Sequence, residues 1–354
     1  MAIGHSSTMT ANKSQLAWGI LATGHIAHVF ARGVAKSRTG KIVAVGSRKQ
    51  ATADAFAKEF DIPRAYDSYE KVLADPEVQA VYISMHHPMH AEWCIKAAQA
   101  KKHILCEKPL TVNYADAVKV VAEARKQKVF LMEAFMYRCH PQTTKLVEII
   151  RSGTIGKVQL IRAAFGYKAD FNPEARSFKN SLGGGAILDI GCYTISISRL
   201  IAGASMGLPF VDPIELTAMG ELHPQTKTDL YTIASVRFPE GILAEIATSV
   251  ILDHEWEVLI LGSSGSIRVP SPYLMAREGG ESKILFWRNG APEWETVVLN
   301  TKDYLYGLEA DAVADALAQG KLESPFITLD DTLGNMKAMD TWRKEIGLIY
   351  DFEK

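Results

Sequence analysis

The chain has 354 residues, 47% apolar and 22% charged, ordinary proportions for a globular protein; at roughly 100–200 residues per domain it suggests two domains or one large one. A chain this long buries about three quarters of its unfolded surface, so its core needs no disulfide or metal. Lys and Arg number 39 against 40 Asp and Glu, a net charge of −1, without the basic footprint of a nucleic-acid binder or the polybasic flank of a membrane anchor.

Residues 1–15, MAIGHSSTMTANKSQ, are small and polar and lack the charged start and apolar centre of a secretory signal. A disordered leader is expected there. No run approaches the ~18 consecutive apolar residues of a membrane helix. Cys94, Cys106, Cys139 and Cys192 are far apart with no CxxC pair. That argues against a zinc site and a secreted disulfide framework, and for a reducing cytoplasm.

From residue 16 to 135, short apolar runs alternate with helical stretches. LAWGIL (16–21), KIVAVG (41–46), VQAVYIS (78–84), KHILCE (102–107) and VFLM (129–132) read as strands. Helices are expected over 25–36, around ATADAFAKEF, and over Met89–Ala100. This alternation indicates βαβ units and a mostly parallel sheet. A short helical crossover is expected near 135–155. From there to residue 354 the pattern changes to successive β-rich runs: KVQLIRAAFGY, IELTAMGEL, YTIASVRF, ILAEIATSV, EVLILG and KILFW. Phe238–Gly241 and Gly262–Gly265 read as hairpin turns. A large, mainly antiparallel sheet follows, with helices only after the glycines at 183–185 and near 302–319 and 330–346. The fold class is therefore α/β, with one parallel-sheet domain and one α+β domain.

The turn after the first run reads Ala22-Thr23-Gly24-His25-Ile26-Ala27. It matches the dinucleotide fingerprint GxGxxG/A except that alanine replaces the first glycine. Gly24 lets the backbone approach a pyrophosphate, and the next helix offers it free N–H groups and a positive dipole end. The second strand ends in Gly46-Ser47-Arg48-Lys49, where an acidic residue would bind the ribose 2′-hydroxyl of NAD. A hydroxyl and two cations suit a 2′-phosphate instead, which points to NADP, with NAD as the alternative. A solvated Arg-Lys pair is the plainer explanation of the same residues.

Cys106-Glu107-Lys108-Pro109-Leu110 follows KHILCE, and ligands of an open parallel sheet gather beyond such strand ends. Pro109 restricts Lys108 to extended conformations and permits a cis bond. Beside a nicotinamide, a partly desolvated lysine has a lowered pKa and exchanges a proton with a substrate hydroxyl. In Gly183-Gly184-Gly185-Ala186-Ile187-Leu188-Asp189-Ile190-Gly191-Cys192-Tyr193, Asp189 and Tyr193 share a face if the stretch is helical. Tyr193 then carries the reacting proton, Lys108 steadies its phenolate, and Asp189 orients substrate hydroxyls. A helix start with a buried Tyr and Asp would look the same. Met85, His86 and His87 are expected to border the ribose and nicotinamide, with His90 behind them and Glu107 beside Lys108. Three close histidines also invite a metal reading, but no fourth ligand is evident and no metal is expected. Arg138, in EAFMYRCHP, is expected at the cofactor or holding the loop. Lys168, Arg176 and Lys179 offer three cations for an anionic substrate group, or simply a solvated loop.

Together the glycine turn, the GSR strand end, VYISMHHPMHAEW, CEKPL, EAFMYRCHP, GGGAILDIGCY and ITLDDTLGNMKAMDTWRKEIGL resemble the Gfo/Idh/MocA oxidoreductase family, from Leu16 to nearly the end. The resemblance implies a Rossmann domain, here 16–135, and a substrate-binding and oligomerisation domain, here 136–354, whose open sheet supports a homodimer or homotetramer. The family's lysine maps to Lys108 and its aspartate to Asp189. Many members carry histidine where this chain has Tyr193; tyrosine there resembles the dimeric dihydrodiol dehydrogenase and NADP-dependent D-xylose dehydrogenase branch, in which it is the proposed proton donor. His86 for proline and Ala22 for glycine are further departures. The implied function is hydride transfer between nicotinamide and a hydroxyl-bearing carbon of a sugar or cyclic polyol. Redox-neutral glycoside hydrolysis and non-catalytic dinucleotide sensing are the alternatives.

Overall fold

The computed structural model describes residues 15–254 and 256–354; the leader expected at 1–15 lies, apart from Gln15, outside them. Strands β1 (Leu16–Leu21), β2 (Gly40–Gly46), β3 (Arg64–Tyr66), β4 (Ala80–Ile83), β5 (His103–Glu107) and β6 (Leu131–Ala134) form one parallel sheet in the order β3-β2-β1-β4-β5-β6. Helices α1 (His25–Val34), α2 (Gln50–Phe60), α3 (Tyr69–Ala74), α4 (His90–Gln99) and α5 (Tyr114–Gln127) join them. The central strands are almost wholly buried, as a sheet covered on both faces requires. The strand order reverses between β1 and β4, so a crevice opens at their carboxyl ends. β3 is not expected from the sequence: its three residues are only partly buried and carry no apolar run.

Helix α6 (Pro141–Arg151) is the crossover. Beyond it, β7 (Val158–Gly166), β8 (Glu215–Leu222), β9 (Asp229–Arg237), β10 (Leu243–Ser249), β11 (Glu257–Gly262), β12 (Gly265–Pro270), β13 (Gly280–Arg288) and β14 (Glu295–Thr301) form one sheet in the order β14-β13-β12-β11-β7-β10-β9-β8. Both expected hairpins occur, joining β9 to β10 and β11 to β12. Only the β7–β10 pair is parallel. β14 escapes sequence reading because it is an edge strand with no fully buried residue. One face of the sheet is covered by α7 (Cys192–Ser205) and α9 (Leu329–Glu345), while β9 alternates buried and exposed residues. The segment Asn180–Ser205 is by length and composition able to cross a membrane, and its apolar stretch is buried in this core.

Helix α8 (Leu305–Ala318) returns to the first sheet's domain and packs on α1. A Cβ on Gly33 would lie 2.8 Å from the Gly307 nitrogen, and one on Gly307 would lie 2.7 Å from the Gly33 oxygen. The two helices thus touch backbone to backbone, which only glycine permits. This contact seats the start of α8 against the C-terminal end of α1.

Candidate active site

The strand ends of the parallel sheet and the inner face of the large sheet enclose a continuous crevice. Its outer part, about 550 Å³, is lined by Ala22, Gly24, Ser47, Arg48, Lys49 and Met85 among others. Its inner part, about 670 Å³, shares Gly24, Met85 and His86 and extends to Lys108, Asp189 and Tyr193. The glycine turn therefore sits between the basic end of β2 and the amine-bearing end of β5.

At the turn, Ala22 holds a φ of 86°, in the region that normally selects glycine. The fingerprint's departure is thus in residue type, not conformation. Its N–H donates to the Gly46 oxygen at 3.0 Å, which ties the turn to β2. Gly24 is the residue before α1, and no side chain caps that helix or places an acid in its first turn. A Cβ on Gly24 would meet nothing within 4 Å. Uncapped N–H groups facing open crevice fit a pyrophosphate. His25 and Ile26 line the inner part beside them. Ser47 is buried and its N–H is bonded to the Tyr66 oxygen, whereas Arg48 and Lys49 are exposed at the crevice mouth.

The loop after β4 is held by its histidines. His87 Nδ1 lies 3.2 Å from the Gly183 oxygen, and the ring of His90 spans the carbonyl oxygens of Pro109 (2.9 Å) and Met85 (3.0 Å). His90 therefore joins the loop after β4 to the loop after β5. Burial, with the nearby charge of Arg176, lowers the pKa of His86 and lowers that of His87 further.

The Lys108–Pro109 bond is cis. Leu110 donates its N–H to buried Glu133 Oε1 at 2.9 Å, which fixes the far side of the same loop. Glu107 accepts from the Tyr82 hydroxyl at 2.5 Å, and burial raises its pKa.

Asp189 is the hub of the site. The stretch Ile187–Gly191 is one π-helical turn leading into α7, a wide turn frequent at functional sites. Its position depends on Gly185, where φ is 111° and a Cβ would strike the Asp229 carboxylate. Asp229 Oδ2 in turn accepts from the Ile187 N–H at 2.7 Å. The Lys108 ammonium donates to the Asp189 carbonyl oxygen at 2.5 Å and lies 3.4 Å from its Oδ1. Arg176 reaches Oδ1 at 2.9 Å, and the Tyr167 hydroxyl donates to Oδ2 at 2.6 Å. Burial opposes ionisation of Asp189, but Arg176, Lys108 and the Tyr167 hydroxyl overcome it and hold the carboxyl well below the usual carboxylate range. Tyr193 is 4% exposed, and the Lys108 ammonium stands 5.1 Å from its ring centre. The Tyr193 hydroxyl contacts Met136 Sδ at 3.3 Å, and burial pushes its pKa well up.

The structure thus brings together the turn, Ser47 to Lys49, Met85 to His87, His90, Glu107, Lys108, Arg176, Asp189 and Tyr193. It separates three expected residues from them. Arg138 is buried elsewhere: it donates to Asp331 Oδ2 at 2.7 Å and to the Phe326 oxygen at 3.1 Å, holding the start of α9 rather than a cofactor. Lys168 is exposed, and its backbone is bonded to Asp253. Lys179 is paired with Glu174. Neither lysine lines the crevice, so only Arg176 of the three cations reaches the inner site. Sequence reading missed Phe165, Tyr167, Trp256, Leu274, Arg277 and Tyr306, which complete the inner wall. The two-residue spacing of Phe165 and Tyr167 at the end of β7 was the available signal.

A Rossmann crevice with an open anion-binding turn and a lysine beyond β5 defines an oxidoreductase that uses a nicotinamide dinucleotide. Residues 16–135 match the profile of the oxidoreductase family with an NAD-binding Rossmann fold, and residues 143–268 match the GFO/IDH/MocA C-terminal domain. The chain belongs to the Gfo/Idh/MocA family. It is 32% identical over 351 residues to trans-1,2-dihydrobenzene-1,2-diol dehydrogenase of Mus musculus, covering 96% of this chain and 99% of that one. It is 34% identical over 307 residues to an uncharacterized oxidoreductase of Rhizobium meliloti, covering 85% and 87%. The fold is shared with the 3-ketoreductase KijD10 of Actinomadura kijaniata, at TM-score 0.82 and 24% identity over 94% of this chain and 98% of that one. It is also shared with a levoglucosan dehydrogenase, at TM-score 0.81 and 18% identity over the same shares.

Proposed function

We propose that this chain is an NADP-dependent dehydrogenase or reductase of a small hydroxylated ring, a sugar or cyclic polyol, with its chemistry at Lys108 and Tyr193. The observation that carries this is the placement of the Lys108 ammonium, at once on Asp189, over the Tyr193 ring, and in the crevice that begins at the glycine turn. The redox reading is preferred to glycoside hydrolysis or sensing because the relatives are named dehydrogenase and oxidoreductase.

Ala22, Thr23, Gly24, His25 and Ile26 would hold the pyrophosphate, and Ser47, Arg48 and Lys49 the adenosine end, where their charge favours a 2′-phosphate. When bound, the dinucleotide supplies or accepts hydride at nicotinamide C4. Tyr193 would donate its proton to a carbonyl oxygen in the reducing direction; burial opposes the phenolate this leaves, and the Lys108 ammonium over the ring would steady it. Lys108 places a positive charge beside that oxygen and is the second group able to exchange a proton there. Asp189 already accepts from three side chains, so we assign it to positioning Lys108, Arg176 and Tyr167. Arg176 retains a buried Nη1 with no partner among the described residues, a donor suited to a substrate oxygen. Phe165, Trp256 and Leu274 line the rest of the chamber.

The outer face of the large sheet exposes Met219, Tyr231, Ile233 and Leu243. We assign the apolar patch these residues form, bordered by the Arg162–Glu245 and Arg237–Glu215 pairs, to self-association.

Replacing Lys108 by Met is expected to lower kcat by at least ~10²-fold, the low end for general acid–base catalysis, with NADP affinity within a few-fold. Turnover of a screened polyol within tenfold of wild type would remove Lys108 from the reaction.

A further inference from the structure

The cations lining the crevice divide by position. Arg48 and Lys49 stand at its mouth, and Lys108 and Arg176 are committed to Asp189. Arg277 remains. It comes from the second domain, yet lines the inner crevice together with Gly24 and His25. It also borders a small pocket of about 100 Å³ against His25, Val29 and Arg32 of α1. Among the described residues it forms no ion pair with a carboxylate. Its guanidinium lies 5.7 Å from the Tyr306 ring centre, within cation–π range. Tyr306 is itself fixed near α1 by the Gly33–Gly307 contact.

The segment that carries Arg277 is shaped for this place. Residues 271–279 join β12 to β13, and two non-glycine residues in it, Ser271 (φ 53°) and Ala276 (φ 42°), take left-handed backbone. Such conformations cluster at ligand clamps. The Arg277 carbonyl accepts from the Leu305 N–H at 3.0 Å, which ties the segment to α8. The same segment sends Leu274 into the substrate end of the crevice.

We propose that Arg277 is a cofactor-binding residue supplied by the second domain: its guanidinium pairs with the dinucleotide pyrophosphate across the crevice from the α1 N-terminus, and this pairing holds the 271–279 segment, with Leu274, against the substrate chamber. The α1 turn offers only neutral N–H groups to a doubly charged diester, and Arg277 supplies the missing cation. Cofactor binding then steadies a substrate wall that is already in place, so substrate follows cofactor. The inference rests on the dinucleotide reading above, and wild-type binding of NADP+ tests that reading separately.

The test is calorimetric titration of wild type, Arg277→Gln and Arg277→Lys with NADP+, with 2′-phospho-ADP-ribose, which keeps the pyrophosphate but lacks nicotinamide, and with 2′-AMP, which lacks the pyrophosphate. Arg277→Gln is expected to weaken the first two roughly tenfold to a hundredfold, the range of a charged hydrogen bond. It should leave 2′-AMP within twofold, and Arg277→Lys should restore part of the loss. Hydrogen exchange in segment 271–279 should slow on binding 2′-phospho-ADP-ribose in wild type and not in Arg277→Gln. Unchanged affinity for the pyrophosphate ligands, an equal loss for 2′-AMP, or the same exchange protection in both proteins would overturn the proposal.

Discussion

Replacing Ala22 by glycine isolates the energetic consequence of the altered fingerprint. Ala22 holds a φ of 86°, and a left-handed L-residue is destabilised by roughly 1–2 kcal/mol. Glycine removes that strain. It returns about 0.4–1 kcal/mol through the greater freedom of the unfolded chain. It also loses a half-buried methyl, about half of the ~0.8 kcal/mol of a buried CH₂. The expected net effect is a gain of about 0.5 kcal/mol. Ala22→Val meets the same backbone with a branched Cβ and should lose about 2 kcal/mol or more, since such residues rarely take positive φ. The turn should stay in place in all three proteins, because the hydrogen bond from Ala22 to Gly46 is made by the backbone. Urea unfolding of the cofactor-free proteins, followed by tryptophan fluorescence, measures the ranking; Trp18, fully buried in β1 four residues away, is a local reporter. A glycine variant clearly less stable than wild type, or a valine variant as stable as wild type, would refute the assignment of strain to this residue.

Arg48→Ala should weaken NADP+ roughly tenfold or more, as loss of a charged hydrogen bond does, while NAD+ stays within twofold; equal losses in fluorescence titration would remove the 2′-phosphate assignment. Burial raises the Glu133 pKa from 4.5 to about 7. Across that window the native state holds a proton that the unfolded chain releases, so stability falls as pH rises. At 1.36 kcal/mol per pKa unit, the contribution lost between pH 4.5 and 7 is about 3 kcal/mol. Glu133→Gln should flatten this part of the pH profile in urea melts, and an unchanged slope would place the proton elsewhere. Ile233→Asp, in the middle of the exposed apolar patch, should lower the oligomeric state seen by light scattering without lowering the melting temperature of the protomer; an unchanged mass would clear that patch of self-association.

The parts of this protein legible in its sequence are those set by neighbouring residues. The runs LAWGIL and KIVAVG, buried on both sides, announce a parallel sheet because no alternation is needed there. EVLILG falls on β11 without a residue of error, its far end marked by the Gly262–Gly265 turn. The anion-binding turn is visible despite its missing glycine, since Gly24 and the helix behind it suffice. The edge strand β14 leaves no such trace, because it has no fully buried residue and so no apolar pattern to display.

The site is a different matter, because its members meet only after folding. Lys108 and Asp189, 81 residues apart, were marked by their motifs, but the hub role of Asp189 depends on Tyr167 and on a π-helical turn wedged by Asp229. No spacing rule announces either. Arg138, Lys168 and Arg176 look alike as isolated cations, yet one braces α9, one faces solvent and one grips Asp189. Sequence determined which residues are able to bind, donate or carry charge, since that is covalent chemistry. Tertiary structure decided which partner each charge finds. Within a few ångströms in a dry crevice a pairing dominates the energy, and chains crossing from distant strands set those distances.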